Sequence, residues 1–343
     1  MKTMGRFASC FLAAAALLFG LGGVAPASAD DLYAAIVMDA RSNEVLLEDQ
    51  ADEARFPASL TKMMTLYMVF EALERGDIRM DTRLVASRNA SRQPPSRLGL
   101  RRNDSITVEQ AIRALVVQSA NDVATMVSER LGGSESRFAA AMTARARELG
   151  MRDSRFANAS GLPNPRHATT ARDIAILGQA LWHDFPEYYH YFQTPSFAWR
   201  RGAGSNHNRL LGQIEGVDGI KTGYTRASGF NLASMAERNG RRVIVVVLGG
   251  ETASARDAQV AYLIEGAYQE FARREDPNAA AFASLPTRRL DAVAAPAMGS
   301  AADASPYASY QGMVVETLSP LRAPVEAPVG QGDESELSTE EQN

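Results

Sequence analysis

The fold is decided by residues 217–250, which read VDGIKTGYTRASGFNLASMAERNGRRVIVVVLGG. The stretch contains three short runs bounded by turn-forming residues, the usual pattern of β-strands. These runs are Gly219–Thr225, Gly229–Ala236 and Val243–Leu248. The last two are joined through Asn239-Gly240, the strongest short signal for a β-hairpin. The stretch therefore predicts three consecutive antiparallel strands.

Two more strands are predicted near the start of the chain, at Tyr33–Met38 and Glu44–Glu48, with a turn-like run between them. Apolar periodicity and capping patterns, such as Thr107 followed three residues later by Gln110, predict helices elsewhere. The predicted helices cover 58–75, 107–130 in two pieces, 134–149, 170–183 and 252–273. This order predicts an α/β (α+β) fold with an antiparallel sheet of about five strands, flanking helices and an all-helical insert.

The two ends of the chain differ from its body. Lys2 and Arg6 precede the uncharged run Cys10–Val24, and Ala27-Ser28-Ala29 offers a cleavage site. We therefore expect a signal peptide at 1–29 and an exported, periplasmic protein, whose mature form lacks the lone cysteine. Residues 275–343 hold 11 acids against three arginines and 7 of the 15 prolines. This composition predicts a mostly disordered tail after a folded domain at 30–274.

Several classes of function find no support in the sequence. The chain has a net charge of −4 and no basic tract interleaved with aromatic residues, which argues against nucleic-acid binding. Its four histidines form no metal-binding pattern, and a phosphate-binding glycine loop and a G-x-S-x-G elbow are also missing. The tail has no cationic amphipathic helix, so we expect no membrane anchor. We expect no metal or other cofactor.

Lysine usage directs attention to two positions. The chain has 36 lysines and arginines, but only Lys2, Lys62 and Lys221 are lysines, and Lys2 belongs to the predicted signal peptide. Because generic cationic positions are filled with arginine, a retained lysine points to a need for an ammonium group that can lose its proton. Lys62 and Lys221 are therefore the first candidates for chemistry.

Lys62 lies three residues after Ser59, at the predicted start of a helix. Residues three apart share a helix face, so the amine can reach the hydroxyl. A neutral lysine shielded from water can take the serine proton, and a helix N-terminus places N–H groups beside an attacked carbonyl. The pattern S-x-x-K predicts a nucleophile and its base, although an isolated match also fits a solvated lysine near a capping serine.

Two further motifs follow in the chain. Ser119-Ala120-Asn121 lies where two helical pieces meet, and its hydroxyl and amide can complete a polar cluster. Lys221 and Thr222 offer a cation and a hydroxyl to a carboxylate, while Gly223 leaves room for a ligand backbone at the strand edge. Each motif alone also fits a structural role. Both lysines of the mature chain fall in such motifs, however, which favours chemistry.

The triple S-x-x-K, S-x-N and K-T-G resembles that of β-lactamases and penicillin-binding proteins. The longer strings at 56–64, 156–163 and 217–231 are similar to those of low-molecular-mass penicillin-binding proteins, the serine-type D-alanyl-D-alanine carboxypeptidases of peptidase family S11. The resemblance covers about 31–274. It implies a β-lactamase/transpeptidase-like fold and a hydrolase that removes the terminal D-alanine from peptidoglycan stem peptides. β-Lactam antibiotics would be its covalent inhibitors.

The resemblance also implies roles for the motif residues. Ser59 would form the acyl-enzyme, with Lys62 as its base and Ser119 as a proton relay. The remaining motif residues would bind substrate. Asn121 and Lys221 would hold it, and Thr222 would bind the terminal carboxylate beside Gly223 on the same strand edge. The backbone N–H groups of Ser59 and Tyr224 would form the oxyanion hole.

Three alternatives stay open. An endopeptidase that cuts D-alanine cross-links would use the same residues. A serine β-lactamase of class A would need a deacylating glutamate in E-x-x-L-N, and no glutamate between the second and third motifs has that context. A non-catalytic peptidoglycan-binding protein could have lost Ser59 or Lys62, and both are present.

Overall fold

A computed structural model describes residues 32–200 and 202–275. The predicted signal peptide at 1–29 lies outside these residues, and so does the predicted tail except Glu275, which is the last residue of the closing helix. The proposed domain boundaries therefore remain predictions.

The core of the fold is a five-stranded antiparallel sheet, in which N-terminal and C-terminal strands meet. The strands of this sheet are β1 (Ala34–Asp39), β2 (Val45–Asp49), β7 (Val217–Thr225), β8 (Gly229–Arg238) and β9 (Arg241–Gly250). Their order across the sheet is β2-β1-β9-β8-β7. Asn239 and Gly240 both have positive φ, as the tight turn between β8 and β9 requires. The five predicted strands and their antiparallel arrangement are confirmed.

Strand β9 holds the layers together because its apolar residues alternate between two faces. Val243, Val245 and Val247 belong to one hydrophobic cluster, which includes the closing helix. Ile244 and Val246 belong to a second, larger cluster, which includes the other helices. The uninterrupted apolar run of β9 is therefore explained by helices that cover both faces of the sheet.

All six predicted helices are present at about their predicted positions, and the structure adds a seventh. They are α1 (Thr61–Glu74), α2 (Val108–Val117), α3 (Asn121–Gly132), α4 (Glu135–Glu148), α5 (Ala171–Asp184), α6 (Pro186–Tyr189) and α7 (Ala253–Glu275). Of these, the short α6 was not predicted. The predicted capping box at Thr107 and Gln110 is formed at the start of α2. None of the helices in the described residues has the length and apolarity needed to cross a bilayer.

The segment between β2 and β7 is mainly helical, but the prediction that it is all helical is wrong. It contains two small antiparallel hairpins, β3 (Arg83–Val85) with β4 (Ser105–Thr107) and β5 (Ser196–Trp199) with β6 (Gly202–Ser205). Strands of three or four residues are too short for alternation to be recognised in a sequence.

Candidate active site

Ser59 lies in a 3₁₀ turn, Ala58–Leu60, directly before α1 rather than in the first turn of the α-helix as predicted. Ala58 has a φ of 48°, in the left-handed region that residues other than glycine rarely adopt. Strained backbone of this kind is found mostly at functional sites. The turn leaves Ser59 half-buried, at the floor of an open cleft.

The amine of Lys62 is held at Ser59 by three acceptors. Its Nζ lies 3.1 Å from Ser59 Oγ, 2.8 Å from Asn121 Oδ1 and 2.6 Å from the carbonyl oxygen of Ser160. The Lys62 residue is 0% exposed. A buried amine with this geometry is in hydrogen-bond reach of the hydroxyl it would deprotonate.

The electrostatic setting of Lys62 favours its neutral form. Burial lowers the pKa of Lys62 well below its usual value of 10.5, and the nearby Lys221 lowers it further. Asp122 acts in the opposite direction. Because a neutral amine can accept a proton at neutral pH, these shifts suit Lys62 to the role of general base.

Ser119 and Asn121 lie at the junction of α2 and α3. Ser119 is buried, has a φ of 54°, and its Oγ has no hydrogen-bond partner among the described residues. Asn121 is more constrained than the sequence suggested. Its amide accepts from Lys62, and its Nδ2 donates to the carbonyl of Pro94 at 3.0 Å. Asn121 therefore orients Lys62.

Lys221 and Thr222 lie on β7, the edge strand of the sheet that faces the cleft. Lys221 is 2% exposed, and its Nζ donates to the backbone carbonyl of Thr222 at 3.0 Å. Burial, together with the charge of Arg256, lowers the pKa of Lys221 from 10.5 to about 7. Thr222 lines the cleft, and Lys221 is buried directly beside it in the chain.

From the sequence, we explained Gly223 by the room it leaves for a ligand backbone. The structure gives a different reason, the close packing of β7. A Cβ at this position would lie 3.0 Å from Ser59 N and 3.0 Å from the carbonyl oxygen of Pro57. The glycine thus lets β7 pack against the turn that carries Ser59. Tyr224, the next residue, is 52% exposed and stacks on Phe230, with ring centroids 4.2 Å apart.

The loop that supplies the Ser160 carbonyl is fixed by Asn158 and Gly161. Asn158 Oδ1 accepts from the backbone N–H groups of Ser160 (3.2 Å) and Gly161 (2.7 Å), which is an Asx-type turn. Gly161 has a φ of 82°, and a Cβ there would lie 1.7 Å from the carbonyl oxygen of Ala58. Only glycine fits this close approach of the loop to the turn that carries Ser59.

Two further side chains hold the walls of the site. Asn231 of β8 donates from Nδ2 to the carbonyls of Phe56 (3.0 Å) and Pro57 (3.2 Å), and so ties the sheet to the segment before Ser59. The buried Asp122 accepts from three consecutive backbone N–H groups at 98–100. It therefore fixes the loop opposite β7.

The cleft has a volume of about 640 Å³. Six of the eight predicted site residues line it: Ser59, Ser119, Asn121, Thr222, Gly223 and Tyr224. The two lysines lie beneath its surface. Arg209 and Arg256 also line the cleft, and the surrounding cations together with burial lower the pKa of His207 to about 4. The cleft therefore suits an anionic ligand.

Sequence reasoning assigned no role to Asp122, Asn158, Ser160, Asn231 or Arg256. Asn158-Ala-Ser-Gly161 carried a recognisable turn signal, since asparagine favours Asx turns and glycine accepts positive φ. A backbone acceptor such as the Ser160 carbonyl leaves no such signal, because every residue has one. No group of three or more potential metal ligands occurs within 32–200 and 202–275.

Comparison with known proteins matches this site to one family. The family model of peptidase S11, D-alanyl-D-alanine carboxypeptidase, matches residues 25–252. D-alanyl-D-alanine carboxypeptidase DacD of Salmonella typhimurium is 33% identical over 249 residues, which are 71% of this chain and 64% of that protein. The chain thus matches less than two thirds of this relative's length.

Solved structures agree with the sequence matches. Penicillin-binding protein 5 of Haemophilus influenzae has a TM-score of 0.67 and 30% identity, covering 72% of this chain and 73% of that one. Penicillin-binding protein D2 of Listeria monocytogenes, in its ampicillin-bound form, has a TM-score of 0.62 and 32% identity. The match covers 68% of this chain and 95% of that one. The chain belongs to the D-alanyl-D-alanine carboxypeptidase family, peptidase S11.

Proposed function

We propose that the protein is a serine-type D-alanyl-D-alanine carboxypeptidase that removes the terminal D-alanine from peptidoglycan stem peptides. The observation that carries this proposal is the buried Lys62 amine, 3.1 Å from Ser59 Oγ, in a cleft lined by cations. Family membership supports the same reaction. The predicted signal peptide supports export to the periplasm, where such a substrate is found.

Binding follows from the charges of the cleft. The terminal carboxylate lies against Lys221 and Thr222, with the peptide backbone along the free edge of β7. The backbone N–H groups of Ser59 and Tyr224 then face the penultimate carbonyl and stabilise the negative charge that develops on its oxygen.

Acylation moves one proton and breaks one bond. Neutral Lys62 takes the proton of Ser59 Oγ as the oxygen attacks the penultimate carbonyl carbon. The peptide C–N bond then breaks, and protonated Lys62 passes its proton to the leaving amine of D-alanine, for which the unpartnered hydroxyl of Ser119 offers a relay. Lys62 is neutral again after this transfer. The product is an ester between Ser59 and the shortened peptide.

Deacylation regenerates the enzyme. Water attacks the ester carbonyl, Lys62 accepts a proton from that water, and Lys62 returns this proton to Ser59 Oγ as the ester C–O bond breaks. β-Lactams acylate the same serine and stay bound, because the chain lacks the E-x-x-L-N glutamate with which class A β-lactamases activate water. This makes them covalent inhibitors.

Intact mass spectrometry after mixing with penicillin, followed over hours, tests the nucleophile. We expect one stable adduct on the unmodified protein and none on Ser59→Ala. Ser136→Ala, a change at an exposed serine on α4, is the matched control and should retain the adduct. Release of D-alanine from a peptide ending in D-Ala-D-Ala, measured in parallel, tests the substrate.

Each unfavourable outcome contradicts a specific part of the proposal. An adduct that disappears within seconds while penicillin is consumed indicates a β-lactamase. A protein that forms no adduct and releases no D-alanine is a non-catalytic binding protein. An adduct on Ser59→Ala would remove Ser59 from its role.

A further inference from the structure

A loop at the rim of the cleft carries an unbalanced positive charge. Residues 87–103, which we call the arginine loop, contain no aspartate and no glutamate. The loop has no aromatic residue on which a base could stack, which argues against a nucleic acid as its partner. All of its arginines are exposed: Arg88, Arg92, Arg97, Arg101 and Arg102. The loop therefore suits a partner with several carboxylates or other anionic groups.

The charge of the arginine loop is not neutralised in the described part of the chain, where none of its guanidinium groups forms a salt bridge. Asp104, directly after the loop, pairs with Arg200 instead. Asp122 accepts from backbone N–H groups of the loop, and Glu129 accepts from the hydroxyl of Ser87 at 3.0 Å. The exposed cations are therefore available to an anion from elsewhere.

The arginine loop is held in place at the cleft. Its two ends are joined, since the N–H of Ala86 donates to the carbonyl of Asp104 at 2.8 Å. In its middle, the carbonyls of Pro94 and Ser96 accept from the side chain and the backbone N–H of Asn121 at 3.0 and 2.7 Å. Ser96 also lines the cleft. An anionic segment bound to the loop therefore lies at the entrance of the cleft.

The chain itself supplies such a segment. Residues 333–341, outside the described residues, contain no lysine or arginine and five acids: Asp333, Glu334, Glu336, Glu340 and Glu341. Cations close to the end of α7, from which this part of the chain continues, are already paired with acids. Arg241 pairs with Glu275, and Arg274 pairs with Glu44. The acidic segment therefore finds its first neighbours neutralised, whereas the arginine loop is not.

The lengths of α7 and of the following chain allow the contact. α7 begins beside the cleft, which Ala253 and Arg256 help to line, and it ends 23 residues later at Glu275. At 1.5 Å per residue the helix is about 34 Å long. Asp333 follows Glu275 by 58 residues. A chain of the disordered kind that this composition predicts spans about 40 Å on average over that length, which matches the way back to the cleft.

We propose that the acidic segment 333–341 docks on the arginine loop of the same chain and thereby restricts access to the cleft. Carboxylates and guanidinium groups form paired, charge-assisted hydrogen bonds. Each exposed pair is weak and is screened by salt, so the docking is reversible and depends on ionic strength. The docking is independent of the proposed carboxypeptidase reaction, and only its effect on access rests on that function.

A fluorescently labelled peptide of residues 330–343 tests the docking in trans. The binding partner is the full chain with its own acidic segment neutralised, so that the two segments do not compete. The substitutions in this host are D333N, E334Q, E336Q, E340Q and E341Q. Fluorescence anisotropy should show binding that weakens roughly tenfold when the salt concentration rises from about 20 mM to about 200 mM.

A triple variant of the arginine loop is decisive. It removes three exposed cations that form no side-chain hydrogen bond in the described residues: Arg88→Gln, Arg92→Gln and Arg102→Gln. In the neutralised host it should weaken peptide binding by about fivefold or more, because most of the charge of the loop is lost. The matched control should keep the affinity of the host, since it removes three exposed arginines that do not line the cleft: Arg137→Gln, Arg152→Gln and Arg155→Gln.

Acylation by penicillin measures the effect on access in the intact chain. Neutralising the acidic segment should speed acylation by about two- to fivefold at low salt and have little effect at about 1 M salt, where charges are screened beyond about 3 Å. The same neutralisation should change nothing in a chain that already carries the loop substitutions, because the docking site is gone. This double-mutant cycle separates docking from a general effect of net charge, for which the two changes would be additive.

Each contrary outcome has a definite meaning. A peptide that does not bind, or that loses the same affinity with the loop variant and the control variant, would overturn the docking. Binding of phosphatidylglycerol vesicles through the loop, without binding of the peptide, would assign the loop to an anionic lipid surface instead. Additive effects on acylation would refute the restriction of access. If penicillin forms no adduct at all, the proposed function fails, whereas the peptide experiment still decides the docking.

Discussion

The cleft has two buried lysines, and the surroundings of Lys62 and Lys221 differ. Lys62 Nζ has three oxygen acceptors from the protein, on Ser59, Asn121 and Ser160. Lys221 Nζ donates to the adjacent carbonyl of Thr222 and, within residues 32–200 and 202–275, forms no salt bridge with a carboxylate. Both residues are almost fully buried.

This difference indicates two different tasks. The Lys62 region is complete without a ligand, as a catalytic base requires, because its geometry must exist before the substrate arrives. The Lys221 region leaves a desolvated cation without a compensating carboxylate, which is costly unless a ligand supplies the negative charge. The two surroundings therefore fit the roles proposed above, proton transfer for Lys62 and carboxylate recognition for Lys221.

The largest expected effect comes from replacing each of the two lysines with arginine and comparing the losses of the two variants. Lys62→Arg should slow acylation by penicillin by about 10²- to 10⁴-fold, because guanidinium keeps its proton and cannot act as the base. Lys221→Arg retains the cation and should cost about tenfold in kcat/KM, mainly through KM. The rate of penicillin adduct formation measures the loss of acylation, and steady-state kinetics measure the loss in kcat/KM. Equal losses of acylation rate would contradict the division of tasks.

The next effect concerns the loop that completes the Lys62 region. Gly161→Ala places a methyl group against the Ala58 carbonyl, which should displace the Ser160 acceptor or the Ser59 turn. We expect acylation to slow about 10- to 100-fold, and the free energy of unfolding to fall by about 1–3 kcal/mol from overpacking. Denaturant unfolding and penicillin acylation measure the two effects.

Gly150→Ala is the matched control for Gly161→Ala. Gly150 also has positive φ, at 90°, but a Cβ there would meet nothing within 4 Å. Gly150→Ala therefore introduces the backbone strain of alanine in a left-handed conformation without the steric clash of Gly161→Ala. If both variants lose the same acylation rate, the close packing of Gly161 does not position the base.

The smallest effect is a pH dependence specific to Lys221. Its pKa of about 7 means that the free site loses its cation as pH rises through neutrality, while a bound carboxylate favours the charged form. KM for a peptide ending in a carboxylate should therefore rise above about pH 7, by up to roughly tenfold per pH unit. The same peptide with a C-terminal amide should not show this rise. If KM rises equally with pH for the acid and the amide, the assignment of Lys221 to the carboxylate is contradicted.

Much of the fold could be predicted from local patterns. The uninterrupted β-branched run of β9, the Asn239-Gly240 turn and the capping box at Thr107 each act over a few residues, so they are visible in the sequence. The hairpins β3–β4 and β5–β6 were missed because such short strands depend on their tertiary contacts. The 3₁₀ turn at Ser59 was missed for a related reason, since Gly161 and Gly223 pack against it from distant parts of the chain.

The sequence by itself determined the family and the order of the elements, and it predicted the nucleophile, its base and the carboxylate-binding strand. These follow from side-chain types at fixed short spacings. Only the tertiary structure decided that Asn121 orients Lys62 and that a backbone carbonyl at Ser160 completes its surroundings. Such features arise where segments 59 and 98 residues apart in the chain meet, and hydrogen bonds to backbone atoms leave no residue pattern.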